Sequence, residues 1–244
     1  MKTNSLYEEY HSKDSLQKKI ISKNNFTYRN ILEKTEPYVP LSRNVLDVGS
    51  ATGTVSFYFG AMGMDVDGIE LSKNAVLVAN KNKQLLGLKK VHFYRTPIEK
   101  HNTAKRYDLV LCFEVLEHLQ DDLFTLKKIA KLMKVNSHLI LTVPSANAPL
   151  HRLGLLRKFD RNVGHLRRYT IVSLMNIIKR SGLIVERKYK TEGLFRSILF
   201  TNKIVNMLVK LTRFKFINDL FTYIDRCLLV LFSESQLIFV CKRR

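Results

Sequence analysis

Three groups of residues in this chain have types and spacings that could do chemistry. The run Asp47-Val48-Gly49-Ser50-Ala51-Thr52-Gly53 sets two glycines among small residues directly behind an apolar stretch. Such a turn lets the backbone approach a ligand closely, and a helix starting from it favours an anionic group such as a carboxylate. Glu70, 23 residues beyond Asp47, is an acid able to accept hydrogen bonds from the vicinal hydroxyls of a ribose. The glycines are spaced G-x-x-x-G, not G-x-G-x-x-G, so a nicotinamide or flavin dinucleotide is the lesser reading.

The second group is Glu114, Glu117 and His118. On a helical turn, positions i, i+3 and i+4 put Glu114 on the side of both others. Carboxylate and imidazole donors suit a divalent cation such as Mg²⁺ or Mn²⁺. The same residues also allow a plainer arrangement, with Glu114 touching a ligand while Glu117 and His118 cap and pack the turn. Without a metal, His118 or His165 is the candidate general base, because imidazole titrates near neutrality. The third group is Arg167-Arg168-Tyr169. Guanidinium forks match phosphate oxygens bidentately, and they serve equally well as salt bridges that hold a loop.

These residues need a scaffold, and the hydrophobic pattern supplies one. Short apolar strands are expected over Asn44–Gly49, Met64–Glu70, Val91–Tyr94, Tyr107–Phe113, Ser137–Val143, Leu183–Tyr189 and Gln236–Cys241. Helical patterns separate them over Thr54–Met62, Lys73–Leu86, Asp122–Met133 and a helix from the Thr170 cap to Arg180. This alternation predicts an α/β domain with a doubly wound, mostly parallel sheet. Residues 14–35 read as a helix stopped by Pro37 and Pro40, residues 144–169 as a long connection, and residues 194–232 as a helical insertion. In such sheets ligands bind beyond the carboxyl ends of the strands, beside the first strand–turn–helix.

In combination these motifs resemble the class I S-adenosylmethionine-dependent methyltransferases with the type 11/23 domain. The match is Val45-Leu46-Asp47-Val48-Gly49-Ser50-Ala51-Thr52-Gly53, Glu70, and Tyr107-Asp108-Leu109-Val110. Glu114-Val115-Leu116-Glu117-His118-Leu119 follows as in the ubiquinone-type O-methyltransferase branch. The resemblance covers residues 40–190. It implies a Rossmann-like seven-stranded fold over residues 41–244 and an N-terminal helical lid over residues 1–40. It also implies S-adenosylmethionine held by Asp47, Gly49, Ser50, Ala51, Thr52, Gly53, Glu70, Leu71, Ile98, Phe113 and Glu114.

Ala51 stands where the family usually has a middle glycine, and Thr96 where an acid commonly reads the adenine amine. No Asn-Pro-Pro-Tyr or Asp-Pro-Pro-Tyr motif for amino acceptors is present, which favours an oxygen acceptor. Glu114, Glu117 and His118 resemble metal ligands of the ubiquinone-type enzymes and of the small-RNA 3′-terminal 2′-O-methyltransferases. The latter take a further histidine from a segment after the fifth strand, here His165. The Gly-His-x-Arg-Arg-Tyr-Thr segment resembles methyltransferases of envelope polysaccharide or lipid-linked sugar pathways.

Charge bears on the partner. The 244 residues carry 41 Lys and Arg against 21 Asp and Glu, a net +20. Residues 1–150 contribute +6 and residues 151–244 contribute +14. This excess draws anionic partners: phosphate-bearing substrates, nucleic acid or an acidic membrane. Arg196, Lys203 and Lys210 repeat every seven residues opposite Leu199, Val205, Leu208, Val209 and Phe216. Such a face either packs on its own domain or lies on an anionic membrane. Cys112, Cys227 and Cys241 are too few and too scattered for a disulfide framework. With no apolar run of secretory or spanning length, a cytoplasmic enzyme is expected, peripheral to the membrane at most. A small-molecule, lipid-linked or saccharide acceptor is the leading expectation. RNA ranks behind it for want of interleaved aromatic and basic residues. A non-catalytic cofactor-binding module is the alternative from outside enzymology.

Overall fold

A computed structural model describes residues 16–22, 24–202 and 204–244. Seven strands form one sheet: β1 (Asn44–Val48), β2 (Asp65–Glu70), β3 (Val91–Arg95), β4 (Tyr107–Phe113), β5 (Met133–Pro144), β6 (Leu183–Thr191) and β7 (Gln236–Arg243). Their spatial order is β3-β2-β1-β4-β5-β7-β6. Every neighbouring pair is parallel except those of β7, which runs antiparallel to both β5 and β6. The strand order reverses beside β1, so the crevice for a ligand lies past the carboxyl ends of β1 and β4.

The central strands are apolar on both faces because helices cover both. Val45, Leu109, Leu111 and Ile140 face one buried cluster, while Leu46, Val110, Cys112, Leu139 and Leu141 face the other. That alternation is the period of two a pleated strand imposes. Each Leu or Phe so buried contributes about 1.5–3 kcal/mol.

Helices α1 (Arg29–Thr35), α2 (Thr54–Ala61), α3 (Lys73–Leu85), α4 (Asp122–Leu132) and α7 (Ile171–Arg180) flank the sheet, and two short ones, α5 (Pro149–Arg152) and α6 (Arg157–Val163), interrupt the long connection. Thr170 caps α7, as its sequence predicts, and the Ser173 hydroxyl accepts the Thr170 amide in return. Between β6 and β7 lie α8 (Leu194–Thr201), a 3₁₀ segment (Val205–Arg213) and α9 (Lys215–Phe232).

The helix expected over residues 14–35 is realised only as α1, and residues 14 and 15 lie outside the described residues. The Asn25 side chain takes the amides of Thr27 and Tyr28 in a turn, which breaks the periodicity between Ile21 and Ile31. The N-terminal segment is therefore a strap, and Ile20 and Ile21 pack it onto the core. Of the lid expected over residues 1–40, residues 1–15 are outside the description.

Candidate functional site

The turn after β1 is shaped by three residues with positive φ: Gly49 (72°), Ala51 (46°) and Gly53 (89°). A side chain at Gly49 would meet Val115 Cγ2 at 2.5 Å, and one at Gly53 would meet Phe93 and Phe57 at 2.5 and 2.7 Å. The glycines are thus demanded by conformation and by space together. Ala51 accepts the strained conformation where glycine would be relaxed.

Glu70 secures this turn. Its Oε2 accepts the Ala51 amide at 3.0 Å, and its Oε1 accepts the Leu71 and Ser72 amides at 2.6 and 2.8 Å. Asp47 turns under the loop and takes the Ser56 hydroxyl at 2.6 Å. Burial, opposed by that bond and reinforced by Glu70, raises its carboxyl to about 6. Ser50 is buried, and its Oγ has no hydrogen-bond partner. The strap closes over the same turn: Gln17 donates its amide to Asn82 Oδ1 at 2.8 Å and accepts the Thr54 hydroxyl at 2.9 Å. Ile98 is buried beside the end of β3, and Phe113 is half-buried at the end of β4.

Beyond β4 the chain departs from the expected helical turn. Glu114 has φ +53° and only Leu116–His118 form a 3₁₀ turn, so the i, i+3, i+4 argument does not describe these residues. Glu114 is held toward β5 and β7 instead. Its Oε1 accepts Thr142 Oγ1 at 2.8 Å and Gln236 Nε2 at 3.2 Å. Three of the four expected metal ligands do converge: one donor atom each from Glu117, His118 and His165 lies within 4.8 Å of the others. Glu114 is outside that set. Its carboxylate is near enough, after burial itself, to help push the Glu117 carboxyl well above its ordinary range.

The two histidine rings are held from behind, whereas the carboxyl is not. Glu117 is fully buried, and neither of its oxygens has a hydrogen-bond donor. His118 Nε2 and His165 Nε2 each sit 3.8 Å from Glu117 Oε1, too far for a hydrogen bond. Each ring commits its other nitrogen elsewhere. His118 Nδ1 lies 3.1 Å from the Gly164 carbonyl, and His165 Nδ1 lies 2.9 Å from Asp160 Oδ1. Both partners only accept, so each Nδ1 carries the proton, and in the neutral ring each Nε2 turns a lone pair toward Glu117. Burial, and then His165, lower His118 to about 4. Burial opposes ionisation of Asp160, but the bonds from His165 and Arg168 outweigh it and hold its carboxyl well below the usual range.

The expected substrate residues are spent on this frame. Arg168 grips Asp160 with Nε at 3.0 Å and Nη2 at 2.6 Å. Arg167 bonds Asp122 Oδ2 at 2.9 Å and the Gln120 carbonyl at 3.0 Å. Tyr169 is buried and donates its hydroxyl to Asp122 at 2.8 Å. Both Arg side chains thus form the salt bridges that were one of the two roles expected of them. Asp160 escaped the sequence reading although its spacing to His165, one helical turn and a residue, was in view. Gln236 and Thr142 carried no signal at all.

Two solved structures share this architecture along almost the whole chain. The magnesium protoporphyrin IX methyltransferase of Synechocystis, with bound SAH, superposes with a TM-score of 0.63 at 16% identity over 98% of this chain and 93% of that one. The N-methyltransferase NodS of Bradyrhizobium japonicum, with S-adenosyl-L-homocysteine, gives 0.63 at 15% identity over 99% and 98%. The fold is that of the S-adenosylmethionine-dependent methyltransferases. Residues 22–188 match the methyltransferase domain family, and the chain belongs to it.

Among curated relatives, 107 residues are 30% identical to the ubiquinone biosynthesis O-methyltransferase of Aliivibrio fischeri, covering 43% of this chain and 45% of that protein. A 119-residue stretch is 31% identical to the protein of the same name from Vibrio cholerae, covering 48% and 47%. The chain thus matches about half the length of these relatives. The glycine cradle and the unpartnered, buried Ser50 hydroxyl fit the cofactor of this class.

Proposed function

We propose that the chain transfers the methyl group of S-adenosylmethionine to an oxygen of an anionic small-molecule or lipid-linked acceptor. We further propose that Glu117, His118 and His165 hold Mg²⁺ or Mn²⁺ beside that oxygen. The observation that carries the second part is the fully buried Glu117 carboxylate, which faces two imidazole nitrogens and has no donor of its own. Ionising a buried carboxyl that has no donor costs several kcal/mol, and a cation would supply the missing partner of the charged form.

The sulfonium is already an activated methyl donor, so the protein's task is alignment and proton handling. The glycine turn and the first amides of α2 receive the methionine end of the cofactor, and Glu70 the ribose hydroxyls. Glu114, fixed by Thr142 and Gln236, walls the methionine side. When bound, the cation supplies positive charge that orients the acceptor oxygen and lowers its pKa. His118 stays neutral down to about pH 4, so its Nε2 lone pair is available throughout the neutral range. Asp160 and Arg168 keep His165 turned inward.

Methyl transfer from labelled cofactor to lipid, sugar and RNA fractions, before and after chelation, tests both parts. Chelation should abolish turnover while leaving cofactor affinity unchanged within about twofold, and Mg²⁺ or Mn²⁺ should restore it. Glu117→Ala should behave like the chelated protein. Full activity of protein shown metal-free by elemental analysis would refute the cation. Transfer to no fraction, together with cofactor binding, would favour a non-catalytic module. The net charge of +20 favours RNA as a second reading. Methylation of RNA, with retention that falls steeply with salt, would select it.

A further inference from the structure

The insertion between β6 and β7 is built inside out. On α9, Asn218, Thr222 and Asp225 are buried, at the spacing of one helical face. The opposite face carries Phe216, Leu220, Tyr223 and Val230, which are 78%, 42%, 68% and 85% exposed. Hydrogen bonds lock this orientation. Asn218 Nδ2 donates to the Asn24 carbonyl at 2.7 Å, and Asp225 accepts the amides of Gly193 and Arg196 at 3.0 and 2.8 Å. Arg196, expected on the outer basic face, is fully buried, ion-paired with Asp225 at 3.3 Å and stacked on Phe26. Rotating α9 to hide its apolar face would break the bonds made by Asn218 and Asp225.

The 3₁₀ segment extends the same surface. Ile204 and Met207 are 81% and 65% exposed, and Leu208, Leu211 and Phe214 are exposed as well. Lys210, Arg213 and Lys215 stand among them, also exposed. From Gly193 to Asn218 the chain has no acidic residue. Lys203, the middle member of the expected basic repeat, lies outside the described residues.

A contiguous apolar surface this exposed is rare on a protein with nothing to cover it. Its occupant must accept aliphatic and aromatic side chains together with the exposed cations Lys210, Arg213 and Lys215. We propose that this face, formed by the 3₁₀ segment and α9, docks on an anionic lipid surface. Along the 3₁₀ segment, cations interleaved with Leu, Ile and Phe, without acids, match the boundary between headgroups and acyl chains, and the exposed Asp219 of α9 is paired with Arg29. No helix among the described residues is long and apolar enough to cross a membrane, so the face lies on the bilayer. The insertion starts at Gly193 and ends beside Gln236, which holds Glu114. The docking surface does not depend on the identity of the methyl acceptor.

Sedimentation of the full chain with vesicles tests this. Vesicles of phosphatidylcholine and phosphatidylglycerol should pellet the protein, with at least about tenfold weaker partition onto pure phosphatidylcholine and release as salt rises. Combined Ile204→Ser, Met207→Ser and Phe216→Ser should reduce partition by about tenfold or more, because they remove the inserted apolar area. Thermal unfolding and S-adenosylmethionine affinity should stay at wild-type values in that variant, which separates this result from failure of the methyl-transfer reading. Lys210→Glu with Arg213→Glu should weaken binding to the charged vesicles alone. Three results would overturn the proposal: no partition of the wild type, equal partition onto neutral vesicles, or full binding by the serine variant. A dimer that the serine substitutions dissolve, without lipid binding, would assign the face to a second copy of the chain instead.

Discussion

The two halves of the site are made by different means. On the cofactor side, backbone does the work: positive-φ turns, glycines pressed against Val115 and Phe93, and amides gathered by Glu70. On the acceptor side, side chains do it. Glu117 and His118 follow β4, His165 comes from the long connection, and Asp160 and Arg168 hold that last ring from behind. Backbone geometry is local and tolerates no added atom. The side-chain cluster is assembled from distant segments and depends on a chain of hydrogen bonds.

The largest effect belongs to Gly49→Val. A β-branched residue at φ +72° with its Cβ 2.5 Å from Val115 should cost about 3–5 kcal/mol and abolish cofactor binding. Chemical denaturation and calorimetry read both, and a stable variant that still binds would break the comparison. Arg168→Ala should be milder in stability, about 2–4 kcal/mol for a buried ion pair left half-empty. It should weaken Mn²⁺ or Mg²⁺ binding ten- to a hundredfold by freeing His165, with cofactor affinity nearly untouched. Arg168→Lys keeps the charge without the fork and should fall between the two.

Asp47 sharpens the comparison from within the cofactor half. Its carboxyl is raised to about 6, so its contribution to stability is fully present below its unfolded pKa near 4 and is lost as pH rises through 6. Asp47→Asn should flatten that loss and leave the protein about 1–2 kcal/mol more stable at pH 7, measured as the midpoint of urea unfolding across pH. The smallest effect is expected of Ala51→Gly. Relief of the left-handed strain, offset by unfolded-chain entropy, should add roughly 0.5 kcal/mol.

The same division governs what could be read from residues alone. Alternating apolar strands and a G-x-x-x-G turn are local signals, and they located the sheet, the first turn and Glu70. The acceptor half hides behind long-range contacts. Glu114 and Glu117 look like helical neighbours, yet a left-handed residue and a 3₁₀ turn separate their roles. Arg167 and Arg168 look like phosphate ligands until Asp122 and Asp160 are seen to occupy them. In the insertion, hydropathy points the wrong way. Asn218, Thr222 and Asp225 go inside because carbonyls, amides and Arg196 wait for them there, while Phe216 and Val230 remain outside.

The placement of β7 has a consequence for the order in which the molecule can be made. It lies between β5 and β6, and it is synthesised after both. Until it emerges, β6 lacks the strand that pairs it, because among the described residues β7 is its one neighbour in the sheet. Over the same interval β5 is an open edge displaying Leu139, Ile140 and Leu141, residues that β7 later pairs. A chain paused within the insertion thus carries a sticky strand edge beside an apolar, cationic segment, the combination nascent chains must shield from one another. Strands β1 to β5 and the residues Glu117, His118 and His165 all precede β7 in the chain, whereas the Gln236 bond that fixes Glu114 on the methionine side forms only with the last strand. The wall at Glu114 is therefore the last part of the site to be fixed in place.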